Sequence, residues 1–157
     1  MADWQERKQV GDAHERRVHT ELRARGWDVT GWGLGALPPA FSADISHSGN
    51  RLRYLPDLIA TRRGDLVAID CKDSMRRIPR YSIKRECLEF GIQFCAVFKT
   101  PLLYVFGNLG VLTPAELQAY PALVGPPAPT GAYVLVDGNR TRRFDDVFGT
   151  RTYATAS

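Results

Sequence analysis

At 157 residues the chain has the length of one domain with a genuine core, and 44% apolar with 24% charged residues is a globular composition that excludes intrinsic disorder. Lysine and arginine number 21 against 17 acidic residues, and 17 of the 21 are arginine; the resulting +4 leans modestly towards a polyanionic partner, because arginine's planar fork suits phosphate oxygens. No apolar run approaches the roughly 20 residues that span a membrane, the first eight residues are charged where a signal peptide is apolar, and Cys71, Cys87 and Cys95 lack C-x-x-C spacing, so a cytoplasmic protein without membrane partner, disulfide framework or zinc knuckle is expected.

In chain order, Asp3 to Arg25 reads as an amphipathic helix with Gly11, Val18 and Leu22 on its apolar side and Gly26 as its stop. Trp27 to Thr30 alternates as a short strand. Residues 31–50, rich in glycine, serine and proline, read as a loop of unusual length, and such loops are usually functional or mobile. Leu52 to Thr61 and Asp65 to Lys72 read as two strands of a hairpin turning at Arg62, Arg63 and Gly64. Ser82 to Phe94 spaces Ile83, Cys87, Phe90, Gly91 and Phe94 at threes and fours, which predicts a second helix with Ser82 as its N-cap. Cys95 to Lys99 and Leu102 to Phe106 read as short strands, and Thr113 to Tyr120 as a short helix with Pro114 in its first turn. Pro121 to Gly131 is a spacer, and Ala132 to Val136 a last strand before an arginine-bearing tail. This order predicts an α/β sandwich with a mixed sheet.

The hairpin carries the chemistry. If it closes symmetrically between Arg63 and Gly64, facing positions sum to 127, and Asp57 faces Asp70. Opposed carboxylates repel unless protonated or bridged by a cation, and a hard metal ion is the natural bridge. Period two places Lys72 on the face of Asp70, while Val67, Ile69 and Cys71 point into a core on the other face. The plain alternatives are a turn start for Asp57 and a solvated strand end for Asp70 and Lys72. Asp44 is a rival first ligand, but it lies in the loop without a hairpin partner.

Pro56-Asp57 followed by Asp70-Cys71-Lys72 resembles the PD-(D/E)xK nuclease signature, and Gly11, Glu15, Leu22, Gly26 and Trp27 look like the opening of archaeal-type Holliday junction resolvases. The resemblance spans about residues 7–106; the long 31–50 loop and everything beyond Leu112 depart from it. It implies one nuclease domain with a restriction-endonuclease-like core over about 7–112, a mixed central sheet flanked by helices, and a Pro-rich spacer with strand and tail over 121–157. Implied with it is a Mg²⁺- or Mn²⁺-dependent DNA endonuclease selective for branched DNA, with a restriction-like or repair nuclease and a non-cleaving DNA-binding module as alternatives. Asp57, Asp70, the Cys71 backbone carbonyl and Glu15 would hold metal, Glu15 being otherwise a helix-flank charge, and Lys72 would orient water and offset charge on the phosphate. A homodimer is the assembly that a symmetric junction favours.

Lys72, Arg76, Arg77, Arg80, Lys84 and Arg85 place six cations in fourteen residues after the proposed site, a pattern suited to tracking DNA phosphates. Other signals fail. His14 and His19 are five apart and diverge on a helix, so they read as surface histidines and not as a zinc pair, and Gly31-x-Gly33-x-Gly35 lacks the context of a dinucleotide site.

Overall fold

The computed structural model describes residues 4–72, 80–119, 123–124 and 133–152. The chain begins with α1 (Trp4–Arg23) and β1 (Asp28–Gly31), followed by a 3-10 turn (Gly33–Ala36), α2 (Pro39–His47) and a second 3-10 turn (Arg51–Tyr54). Then come β2 (Leu58–Arg62), β3 (Asp65–Lys72), β4 (Arg80–Lys84), α3 (Arg85–Phe98), β5 (Leu102–Phe106) and β6 (Val111–Leu112). The chain continues through α4 (Pro114–Ala119), β7 (Leu123–Val124), β8 (Tyr133–Asp137) and α5 (Phe144–Phe148).

A five-stranded sheet has the order β1-β2-β3-β5-β6, in which β3 and β5 are parallel and the other neighbours antiparallel. This is the expected mixed sheet. Its hairpin pairs Leu58 with Ile69 and Arg62 with Asp65, so the facing positions sum to 127 as the symmetric turn requires. Arg63 and Gly64 sit at φ 51° and 87°, the left-handed pair of a two-residue turn whose twist matches its strands.

The two faces of this sheet bury two cores. Val18, Leu22 and Trp27 pack with Leu58, Ile69, Val105, Phe144 and Phe148 on one face, while Ala68, Leu102, Tyr104 and Phe106 pack with Cys87, Leu88 and Phe94 on the other. The alternation of β3 divides its residues between the two, as period two demands. α1 ends as Gly26 N–H donates to Arg23 O at 3.0 Å and Trp27 N–H to Leu22 O at 3.2 Å, a turn closed by contact within the core that holds both Leu22 and Trp27. α4 opens on a capping box: Thr113 Oγ1 accepts from Glu116 N at 3.1 Å and Glu116 Oε2 from Thr113 N at 3.3 Å.

Several expectations are corrected. The 31–50 segment is not a plain loop but carries a 3-10 turn and α2. The strand expected from Leu52 begins only at Leu58, after the second 3-10 turn. Ser82 is no N-cap: it lies buried in β4, paired with Leu135, and α3 starts at Arg85 and runs through the residues read as a strand from Cys95. β4, β8 and β7 form a second sheet that the sequence did not announce. The arginine-bearing tail carries α5, whose Phe144 and Phe148 are 5% and 0% exposed, each contributing on the order of 2 kcal/mol by burial. His14 is buried, not a surface residue, and its Nε2 donates to Val105 O at 3.0 Å, tying α1 to β5. Among the described residues no helix is long and apolar enough to cross a membrane.

Candidate active site

The end of β3 gathers the residues that the hairpin arithmetic singled out. Asp70 is 4% exposed on the α3 face, and Lys72, two residues on, donates from Nζ to Asp70 Oδ1 at 2.8 Å. The Cys87 thiol, from the first turn of α3, faces Asp70 Oδ2 at 3.7 Å, and Tyr104 OH donates to Cys87 O at 3.3 Å behind it. Asp57 stands just outside the ladder, one residue before β2. Its Oδ2 accepts from Cys71 N at 2.7 Å, so the carboxylate takes the first N–H beyond the paired positions.

Asp57 is held there by its neighbours. Its carbonyl accepts from Trp32 N at 2.7 Å, and Gly33, at φ +63°, leaves room that a Cβ would not: such an atom would lie 2.7 Å from Pro56 O. The glycine-rich run therefore serves close packing against the Pro56-Asp57 turn. Glu15 approaches from α1. A Cβ at Gly35 would lie 3.5 Å from Glu15 Oε1, so the Gly33–Ala36 turn rests against that carboxylate.

Three acids and one lysine thus share one electrostatic environment. Burial and then the charge of Asp70 hold the Asp57 carboxyl well above the usual range, and burial with the charges of Asp12 and Asp70 raises Glu15. Burial by itself would lower the Lys72 ammonium, but Asp70, Cys87 and Asp57 outweigh it and hold Lys72 well above its ordinary value. Burial pushes the Cys71 thiol well up and the Cys87 thiol up to about 11, so both stay protonated at neutral pH.

The donor set suits a hard divalent cation: carboxylate oxygens predominate, and their mutual repulsion is what such an ion relieves. Among the described residues, however, no three His, Cys, Asp or Glu side chains converge closely enough to form a ready cage. Asp70 is engaged by Lys72 and Asp57 by Cys71 N–H, so ion binding requires these side chains to readjust. Asp44 is exposed on α2 and is not among the charges that act on Asp57, Cys71 or Lys72.

The basic stretch is only partly described. Arg76 and Arg77 lie outside the described residues, Arg80 opens β4, and Lys84 and Arg85 are exposed where β4 meets α3. Sequence reasoning missed Arg53 and Tyr54, which the second 3-10 turn brings to the same side as Lys72. Both line a cavity of about 490 Å³ together with Lys72, Ser82, Lys84 and Cys87. The Arg51-x-Arg53-Tyr54 run immediately before Pro56-Asp57 was the available signal.

The profile of the archaeal Holliday junction resolvase (Hjc) family matches residues 6–117. No curated protein sequence matches the chain. Among solved structures, Hjc of Archaeoglobus fulgidus, a Holliday junction resolvase from an archaeal hyperthermophile, superimposes with a TM-score of 0.55 at 15% identity, covering 91% of this chain and 98% of that one. D212, a nuclease from a fusselovirus, superimposes with a TM-score of 0.51 at 13% identity over 88% of this chain and 90% of that one. At such identities the structures speak for the fold, and the profile for the family.

Proposed function

Because this chain belongs to the archaeal Holliday junction resolvase family, we propose that it is a divalent-metal-dependent DNA endonuclease that cuts branched DNA by phosphodiester hydrolysis. The observation that supports this most is the shared environment of Glu15, Asp57, Asp70 and Lys72 at the end of β3, where carboxylates outnumber cations and repel one another.

Mg²⁺ or Mn²⁺ would be held by Asp57 and Asp70, with the Cys71 carbonyl and Glu15 directly or through water. When bound, the ion polarises the phosphate and acidifies a water. The protein's own groups do the rest. Lys72, protonated at neutral pH, offers its ammonium to the attacking water and to the negative charge that develops on the phosphate oxygens. Before the ion binds, its hydrogen bond to Asp70 keeps the ammonium at the carboxylate cluster. Asp57 ties the start of β2 to β3 through Cys71 N–H, which holds two candidate ligands at a set spacing. Arg76, Arg77, Arg80, Lys84 and Arg85 would track the flanking phosphates, and a homodimer would present two sites to a two-fold junction.

A cleavage panel in Mg²⁺ and Mn²⁺ over linear duplex, single strand, flap and four-way junction tests the reading. Nicking of the junction at symmetric positions is expected. Cleavage of linear duplex at least as fast would point to a restriction-like or repair nuclease, and no cleavage of any substrate by metal-loaded protein that still binds junctions would leave a non-cleaving DNA-binding module.

A further inference from the structure

The residues between β1 and β2 build one wall of a basic cavity. Leu34, Ser46, Arg53 and Tyr54 come from residues 33–54, and they face Lys72, Ser82 and Lys84 from β3 and β4 across about 490 Å³. That volume is within the range of about 300–1,000 Å³ common for ligand sites. Among the described residues three cations and no carboxylate line it, Arg53 being paired with Glu86 and Lys72 with Asp70 at its margins.

Arg53 is unusual within this wall. Its guanidinium lies 4.7 Å over the Tyr54 ring, and Nη2 donates to Tyr54 OH at 2.7 Å and to Glu86 Oε2 at 3.4 Å. Tyr54 OH in turn donates to Glu86 Oε2 at 2.7 Å. Arg53 Nε is buried and has no hydrogen-bond partner among the described residues. An unsatisfied buried donor on a charged group is costly, and the guanidinium fork is shaped to give two parallel N–H groups to a phosphate or carboxylate. Glu86 is 69% exposed on its side chain, so it meets Nη2 from the solvent side, where an incoming phosphate can displace it and take Nη2 together with the unpartnered Nε on the same edge.

We infer that this cavity is a phosphate pocket that holds a backbone phosphate of the DNA strand beside the scissile bond, with Arg53 as its principal contact and Lys84 and Lys72 on the opposite wall. The inference deepens the nuclease reading and rests on it. Lys72 belongs both to the cavity and to the acid cluster, so a strand whose phosphate is cut at the cluster places a neighbouring phosphate at the cavity. Arg53, in the second 3-10 turn, thereby fixes the register of the strand against the carboxylates at the end of β3. Arg53 acts as a positioning residue.

The test reads binding in metal-free buffer, apart from cleavage. Junction DNA is titrated with wild type, Arg53→Ala and Arg53→Lys across a salt series, with folding checked by thermal melting. Loss of one phosphate contact should weaken Arg53→Ala binding about tenfold and reduce the slope of log affinity against log salt by about 0.9. Arg53→Lys keeps the charge and loses the fork, so it should recover the slope but only part of the affinity. Single methylphosphonate substitutions along the strand then locate the contact: one neutralised phosphate within a few nucleotides of the cut should cost wild type about tenfold and cost Arg53→Ala nothing further. If every position costs the variant as much as it costs wild type, the pocket assignment is overturned while the nuclease reading stands. If wild type binds junctions but never cuts them with metal, the nuclease reading is overturned and the substitution series still decides whether Arg53 holds a phosphate. Should Arg53→Ala not fold, Arg53→Lys with the same series decides between the two outcomes.

Discussion

Two clusters of acids along α1, one around Glu21 and one around Glu15, handle half-buried carboxylates in opposite ways. Near its C-terminus, Arg25, 7% exposed, donates to Glu21 Oε2 at 2.6 Å, to Asp145 Oδ1 at 2.5 Å and to Gly149 O at 2.8 Å, and Arg151 pairs with the same Glu21. Two acids meet two arginines. The hydrogen bond from Arg25 is the largest influence on Glu21 and holds its carboxyl below the usual range. Further towards the N-terminus, Glu15 joins Asp57 and Asp70 around one lysine, and burial and like charge raise Glu15 and Asp57. The first cluster is neutralised from within and serves to lock α5 to α1. The second has one lysine for three acids, an excess of negative charge that costs stability and that the proposed divalent cation would relieve.

The largest effect expected from this contrast is on turnover. Asp70→Ala, Asp57→Ala and Lys72→Ala should each lower metal-dependent cleavage by roughly 10²–10³-fold or more while the protein stays folded, since in the proposed mechanism each would remove a charge that acts on the reacting phosphate or its metal. Full activity in a folded Asp70→Ala protein would remove the site from the end of β3. Arg25→Ala should do the reverse: a loss of about 3 kcal/mol in denaturant unfolding, because Glu21 and Asp145 are left without their shared partner, with cleavage per folded molecule unchanged.

Gly33→Ala ties the two kinds of effect together. A left-handed alanine with its Cβ against Pro56 O should cost about 1–3 kcal/mol and displace the Pro56-Asp57 turn. Activity should therefore fall further than stability explains, read as turnover at a temperature where the variant is fully folded; turnover that tracks the folded fraction would make Gly33 purely structural.

The smallest effects concern pH and carry opposite signs in the two clusters. Glu21 has a lowered folded-state pKa, so its stabilisation is present above the unfolded value of about 4.3 and is lost as pH falls through the folded one. Glu15 is raised, so its contribution is present below about 4.3 and lost as pH rises through its folded value. Glu21→Gln should then cost stability at pH 7 and little in strong acid. Glu15→Gln, without divalent metal, should gain under about 1 kcal/mol at pH 7, solvent screening limiting the effect, and nothing at pH 4. Chemical unfolding at the two pH values checks both, and equal signs at pH 7 would erase the distinction. Cleavage by Glu15→Gln should still fall if Glu15 helps to hold the ion.

How much of this was legible depended on how local the determining contacts are. The hairpin was readable because a two-residue turn with Gly64 and strict alternation set the register within sixteen residues, from Asp57 to Lys72, and that register alone put Asp70 and Lys72 on one face. Glu15 was reached through its likeness to a family and not through spacing, since nothing within α1 says that a turn formed by Gly33 and Gly35 will close over it. Ser82 shows the opposite limit. Its helical spacing was genuine, but residues 80–84 pair with β8, whose partner positions lie at 133–137, and a ladder to so distant a strand overrides local periodicity.

By itself the sequence determined the class of fold, the hairpin and the placing of two acids and a lysine at its open end, because turn chemistry and the two-residue period act between neighbours in the chain. Tertiary structure alone decided that residues 31–50 carry a 3-10 turn and α2 and not a plain loop, that α5 completes the core under α1, and that Arg53 lines one cavity with Lys72 and Lys84. Those arrangements join residues far apart in sequence, and they are selected by the burial and charge that only the assembled sheets bring into contact.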